Sequence, residues 1–327
     1  MIPFSILDLS IVAEGYSVAD SLEQTGKMAV EAEALGYKRY WLAEHHGMKG
    51  IASSATSVIL ANIGAATKTI RIGAGGVMLP NHAPLVIAEQ FGTLAELYPN
   101  RVDLGLGRAP GTDMSTAQAL RRSLHSSVDQ YPQDIKELQA YLGNEEQPVI
   151  AVPGQGTQVP LWLLGSSLYS AELAANFGLP YSFASHFAPD QLQQALRVYK
   201  ETYRASEENP KPYSMAGMMV VLADSQAEAD YLFTSVQQKF MQMRTGGNTR
   251  FPAPVDSMEG RWTLADKQQV NHVLTYALVG TKDSVKDKLT KFIATTDIDE
   301  LIVSMPIYNF DARSHSLKLM AELRSSL

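Results

Sequence analysis

The chain of 327 residues contains no cysteine. That absence removes disulfides, thiolate metal sites and a thiol nucleophile from consideration, while fitting any redox compartment. Positive charge is also in short supply. Lys and Arg number 27 against 34 Asp and Glu, a formal net charge of −7, which argues against nucleic acid as a partner. No apolar run approaches the roughly 20 residues that cross a bilayer; stretches such as Met218 to Ala223 are far too short, so no membrane association is expected. MIPFSILDLS has no basic leader ahead of an apolar run and carries Pro3 and Asp8 early. It does not read as a secretory signal, and the expected location is the cytoplasm. Internal repeats and low-complexity tracts are missing too. So are the metal-ligand spacings HxH and HExxH, and no metal site is expected; the remaining route to one is spatial, with His82 and His186 converging on His45.

What is present is a regular alternation of short apolar runs with longer helical patterns, the arrangement of parallel strands joined by helical crossovers. The runs predict eight strands, at Phe4–Leu9, Arg39–His45, Ile70–Met78, Val102–Gly107, Leu161–Gly165, Tyr181–Ala184, Met215–Leu222 and Glu300–Pro306. Helical patterns fall near Val18–Leu35, Ser57–Ala66, Pro84–Leu97, Thr116–Leu142, Ala171–Phe177, Pro189–Tyr203, Ala227–Arg244 and Ser284–Ala294, with a closing helix near Ser314–Leu323. Eight such units make an α/β protein of the (β/α)₈ barrel type, a TIM barrel with insertions. The whole chain, 1–327, is expected to be one domain. Residues 143–160, rich in Gly, Pro and Gln, read as a surface excursion. Residues 245–266 read as a long polar loop opening with Gly246 and Gly247, and loops of that length are usually functional or disordered.

In a barrel of this kind the active site is built at the C-terminal strand ends, and the chemistry-bearing residues cluster there. RYWLAEHH ends in Glu44, His45 and His46. Alternation sends neighbouring side chains to opposite sides, so one histidine faces the barrel mouth and the other packs outward. IRIGAGGVMLP carries Gly73, Gly75 and Gly76, which either bend the barrel wall or let a flat ring lie close against the backbone. DLGLGRAPG ends its strand at Gly107 and places Arg108 directly after it, offering a rigid fork for phosphate or carboxylate. The same stretch fails as a dinucleotide fingerprint, because Pro110 takes the last glycine place and no acidic residue follows at the required spacing. In LWLLGSSLYSAELAA, a strand, a turn of Gly165, Ser166 and Ser167, and a helix follow one another. One serine caps the helix, and the first-turn N–H groups form a cradle for a phosphate.

With these residues assembled, the chain resembles the bacterial luciferase-like family of flavin-dependent monooxygenases. The likeness runs from FSILDLS through YWLAEHHGMKG and LGLGRAPG, resumes at WLLGSSLYSAELAANFGLPYSFASHF, and ends at DELIVSMPIY. It is most similar to the single-chain, alkanal-monooxygenase-like members. The resemblance implies a (β/α)₈ barrel that uses reduced FMN and O₂ to oxygenate a small organic substrate through a flavin 4a-hydroperoxide. It implies that His45 is the catalytic histidine beside the flavin ring, supported by Glu44, and that Gly75–Gly76 is the place where the family often has a non-proline cis peptide. Gly107 and Arg108 then reach the flavin phosphate together with Gly165, Ser166, Ser167 and the N–H of Tyr169. A separate NAD(P)H:flavin reductase would supply FMNH₂, and the barrel would form a homodimer through the helices near Ser57–Ala66 and Pro84–Leu97. Residues 245–266 fall near the family's mobile lid. The light-emitting subunit has a reactive cysteine where this chain has Gly107, so light emission is not expected. The alternatives are a deazaflavin-dependent oxidoreductase of the same fold and a non-catalytic flavin-binding protein, with a metal-dependent barrel hydrolase further off.

Overall fold

In the computed structural model, which describes residues 2–109, 112, 114–120 and 130–327, eight parallel strands close into a barrel. They are β1 (Phe4–Asp8), β2 (Arg39–Leu42), β3 (Arg71–Met78), β4 (Val102–Gly107), β5 (Leu161–Gly165), β6 (Tyr181–Phe183), β7 (Ser214–Leu222) and β9 (Glu300–Ser304). The first six pair in sequence order; β1 also pairs with β9, β9 with β7, and β7 with β6, which closes the ring. These are the eight strands the apolar runs predict. Strands covered by helices outside and side chains inside are buried on both faces, so they read as continuous apolar runs.

The helices are α1 (Val18–Ala34), α2 (Thr56–Ala66), α3 (Pro84–Leu97), α4 (Met114–Leu120), α5 (Tyr131–Leu142), α6 (Leu168–Phe177), α7 (Leu192–Thr202), α8 (Gln226–Arg244), α9 (Leu264–Val273), α10 (Lys282–Thr296) and α11 (Phe310–Ser325). Three features depart from the sequence expectation. The helix predicted over Thr116–Leu142 is two helices, α4 and α5; Pro132 stands in the first turn of α5, where proline is tolerated. Residues 121–129, together with Pro110, Gly111 and Asp113, lie outside the described residues. A short strand, β8 (Leu278–Gly280), pairs with the far end of β7 outside the barrel, and three residues are too few to show a period. Helix α9 begins inside the predicted loop. It buries only Val270, so it lacks the apolar stripe of a core-facing helix, although its capping box of Thr263 and Asp266 is written in the sequence.

The barrel interior is layered. At the N-terminal floor, Arg39 binds Asp103 across 2.5 Å and Glu300 across 3.0 Å, all three side chains being almost wholly buried. Arg71, Trp41 Nε1, Tyr213 and Ser5 complete the network. Removing one partner of such a set strands a buried charge and costs about 3–5 kcal/mol. Above the floor lies an apolar layer of Leu7, Trp41, Ala43, Trp162, Met215 and Ile302. Trp41 and Trp162 meet edge to face at 5.2 Å. Outside the barrel, Asp8 at the end of β1 is tied to Arg313 of α11 at 2.6 Å, to Tyr40 and to Thr25 of α1. Strand β1 is thereby pinned to both the first and the last helix.

The predicted surface excursion 143–160 lies against α3, where Gly92 and Gly154 approach so closely that a Cβ on Gly92 would stand 2.4 Å from the Gly154 Cα. In the 245–266 segment, Asn248 bonds both Gly47 O and Lys49 N, Arg250 bonds Tyr16 O, and Phe251 is buried beside Ala13. The first half of the expected lid is therefore sewn to the loops that follow β1 and β2.

Candidate functional site

Strand β2 ends at Leu42, three residues before the predicted limit, yet the Ala43 N–H still bonds Asp8 O and the Glu44 N–H bonds Gly76 O. The in–out alternation therefore continues through the EHH run. The His45 N–H turns away to Ser53 O. Its imidazole is half-buried, and Nδ1 has no hydrogen-bond partner among the described residues. His46 points the other way, with Nε2 2.7 Å from Glu44 Oε1.

Near enough to His45 to feel its charge is His186, from the loop after β6. Burial drives its pKa down to about 4, and the neighbouring His45 adds to the shift. Burial likewise holds His45 below the usual histidine range, against a hydrogen bond to the Ala43 backbone. Burial therefore favours the neutral form of both imidazoles, and each has a buried Nδ1 with no hydrogen-bond partner among the described residues. The space for the second is made by Gly217 of β7, where a Cβ would sit 2.2 Å from His186 Nδ1. Ser185 Oγ donates to Gly217 O at 2.6 Å, and Phe187 packs edge-on against the His186 ring at 4.8 Å. A neutral imidazole keeps one donor and one acceptor nitrogen, so both rings suit hydrogen bonding to a ligand.

Glu44 is 2% exposed. The resemblance has it support His45, but its carboxylate hydrogen bonds among the described residues go elsewhere. Oε1 meets both His46 and His82 Nε2, the latter at 2.8 Å, and Oε2 accepts the Met78 N–H at 3.2 Å. Burial alone would raise its pKa; the His82 bond, with those from His46 and Met78, outweighs burial and holds the carboxyl below its usual range. The spatial convergence considered for His45, His82 and His186 thus resolves into two groups, His45 with His186 and Glu44 with His46 and His82.

The Gly75–Gly76 bond is cis, and the register between β3 and β4 shifts there. On one side the space is taken by protein. A Cβ on Gly75 would meet Trp41 and Leu7 at under 3 Å, and one on Gly76 would meet Gly105 O at 2.6 Å. Packing within the barrel wall is thus sufficient reason for both glycines. Gly107 is similar, with Met78 Sδ 2.8 Å from its notional Cβ.

Beyond Gly107, the exposed Arg108 lies over the Tyr169 ring at 4.5 Å. It makes no ion pair among the described residues, so the stack holds the face of the guanidinium and leaves its edge donors free. At the start of α6, Ser167 is the cap, accepting from the Ser170 N–H. The Leu168 N–H is taken by Gln191 Oε1, which leaves Tyr169 N–H as a first-turn donor with no protein acceptor among the described residues. Gly165 is obligatory here, since a Cβ would collide with Ser170 Oγ at 2.3 Å. Arg108 thus lies beside the start of α6, where the Tyr169 N–H is open, and Ser166 directly precedes the capping Ser167.

Sequence reading missed the partnership of His186 with Gly217, which joins the loop after β6 to β7 across 31 residues and has no local signature. Glycine inside the otherwise bulky run SMAGMMVVL was the available hint.

The Luciferase-like monooxygenase family matches residues 2–298. A luciferase-like monooxygenase of Escherichia coli K12 is 48% identical over 100% of this chain and 98% of its own length. The N-acetyl-S-alkylcysteine monooxygenase of Bacillus subtilis is 31% identical over 98% of each. Among solved structures, apo-MsnO8 superposes with a TM-score of 0.89 at 32% identity, covering 99% of both chains.

Proposed function

Because the chain belongs to the luciferase-like monooxygenase family, we propose that it oxygenates a small organic substrate with reduced FMN and O₂, its FMNH₂ arriving from a separate NAD(P)H:flavin reductase. The observation that carries the cofactor reading is the placement of Arg108 over Tyr169 at the start of α6, a charged fork beside a helix start whose Tyr169 N–H has no protein acceptor among the described residues. A flavin mononucleotide phosphate fits that donor set: Arg108 and the α6 start, with Ser166 and the Tyr169 N–H, would hold the phosphate, and Gly75, Gly76 and His45 would border the ring. When bound, the cofactor supplies the activation of oxygen, chemistry no side chain provides.

The protein's own contribution is placement and proton handling. His45 stands just past the C-terminal end of β2 with burial favouring its neutral form, the place from which it serves as a general acid or base for the reacting oxygen atoms. Glu44 acts at one remove, fixing the outward neighbours of His45 through His46 and His82. The Trp41–Trp162 layer beneath the mouth keeps water out from below. On the outside, Val58, Val86 and Leu97 of α2 and α3 are exposed, an apolar face that fits a homodimer.

Anaerobic titration of the protein with reduced FMN, riboflavin and reduced deazaflavin tests this reading. FMN is expected to bind tightest. Preference for the deazaflavin overturns the cofactor assignment, and absence of any flavin binding overturns the function. His45→Ala is expected to retain FMN binding and to lower oxygenated product at least ~100-fold, in the range for losing a positioned acid–base group.

A further inference from the structure

Glu44, His46 and His82 place one carboxylate oxygen and two imidazole nitrogens within 4.8 Å of one another. We propose that these three residues form a site for a divalent transition-metal ion such as Zn²⁺, on the outer side of the β2 and β3 ends and apart from the barrel mouth.

The donor geometry supports this assignment. A carboxylate that merely anchored two histidines has two oxygens to offer. Here both Nε2 atoms converge on Oε1, while Oε2 is occupied by the Met78 N–H. An outer hydrogen bond of that kind orients a ligating carboxylate, and it leaves three donor atoms around a single point. Two imidazoles and one carboxylate are a set that borderline metals accept, three protein ligands leaving a position open. All three residues are held by the fold: Glu44 is buried, His46 precedes the left-handed turn at Gly47, and His82 closes the short 3₁₀ turn Leu79–Asn81.

The open position has room. The triad lines one wall of a cavity of about 260 Å³ whose opposite wall is the first turn of α2. That helix starts at Ala55, which provides no side-chain cap, so its end presents backbone donors and the positive end of its dipole. A bare cation would be repelled there, whereas a metal carrying a hydroxide or other anionic oxygen ligand presents negative charge toward the helix. Triad and helix end are thus complementary across the cavity.

The test needs neither flavin, oxygen nor substrate, so it stands independently of the proposed activity. Purified protein stripped with a chelator is titrated with Zn²⁺ by calorimetry and with Co²⁺ by visible absorption. One ion per chain and a Co²⁺ spectrum of nitrogen and oxygen ligation are expected. Glu44→Gln and His82→Ala should each weaken binding at least ~100-fold, beyond what loss of an outer partner gives. His315→Ala, at an exposed histidine paired with Asp224, should leave it unchanged. Circular dichroism checks that the variants fold; if Glu44→Gln does not, His82→Ala, at a half-exposed side chain, decides alone. No binding by the wild-type chain, or binding undiminished in the folded variants, overturns the proposal.

Discussion

Gly217→Ala places a methyl carbon where the His186 ring now sits. The new Cβ would lie 2.2 Å from Nδ1, 3.1 Å from Cε1 and 3.2 Å from Cγ, against about 3.5 Å for an unstrained contact. The overlap is therefore more than 1 Å. The ring has little freedom to yield, because Ser185 is bonded to Gly217 O behind it and Phe187 stands against its face. Overpacking of this kind costs about 1–3 kcal/mol. With an unfolding entropy near 2.1 cal/mol/K per residue, each kcal/mol corresponds to roughly 1.5 °C in a chain of this length, so a loss of roughly 2–4 °C in Tm is expected. The decisive measurement is a double-mutant cycle by thermal melting. In a His186→Ala background the same substitution meets empty space and should be neutral, giving a coupling of at least ~1 kcal/mol. An equal loss in both backgrounds would show that Gly217 answers to the strand backbone rather than to His186.

Arg108→Ala should weaken FMN by about 1.5–3 kcal/mol while leaving riboflavin nearly unaffected, the loss of a charge-assisted contact to phosphate; equal losses in a binding titration would place Arg108 elsewhere. Glu33 accepts the N–H groups of Lys68, Thr69 and Ile70 on one oxygen. Burial opposes its ionisation, but these bonds prevail and bring its pKa from 4.5 to about 2. A depressed folded-state value stabilises above the unfolded pKa and is lost as pH falls, so wild type should lose its advantage over Glu33→Gln between about pH 4.5 and pH 2. Because the group is part-exposed, that advantage at neutral pH is set at about 1–2 kcal/mol in urea melts; a pH-independent difference would contradict it. Arg313→Met strands the buried Asp8 carboxylate and should cost about 3–5 kcal/mol, with much of the loss recovered in Asp8→Asn/Arg313→Met. Chemical denaturation showing additive losses would refute the pairing.

The barrel was legible because burial on both faces writes a strand as an apolar run bounded by turns, and each of the eight runs is a barrel strand. What escaped was short or polar. Strand β8 pairs only with the far end of β7, outside the repeating strand–helix units that the reading followed, and α9 buries one side chain, so it carries no periodicity. Alternation also separated His45 from His46, because strand geometry is local. The partners of Glu44 were not legible: His82 arrives from the loop after β3, and only the closed sheet brings it to the carboxylate. The buried Arg39–Asp103–Glu300 floor lay equally out of reach, since each charge sits alone at the start of its own strand and only ring closure makes them neighbours.

That floor turns the barrel into a cul-de-sac. With charges locked across the bottom and two tryptophans packed above them, the barrel is closed from below, and a ligand of the proposed kind has the mouth as its door. On the proposed activity, cofactor, substrate and product would share that entrance, so whichever binds deepest would enter first and leave last. Ordered steady-state kinetics would then follow from the plug rather than from any residue at the reacting centre.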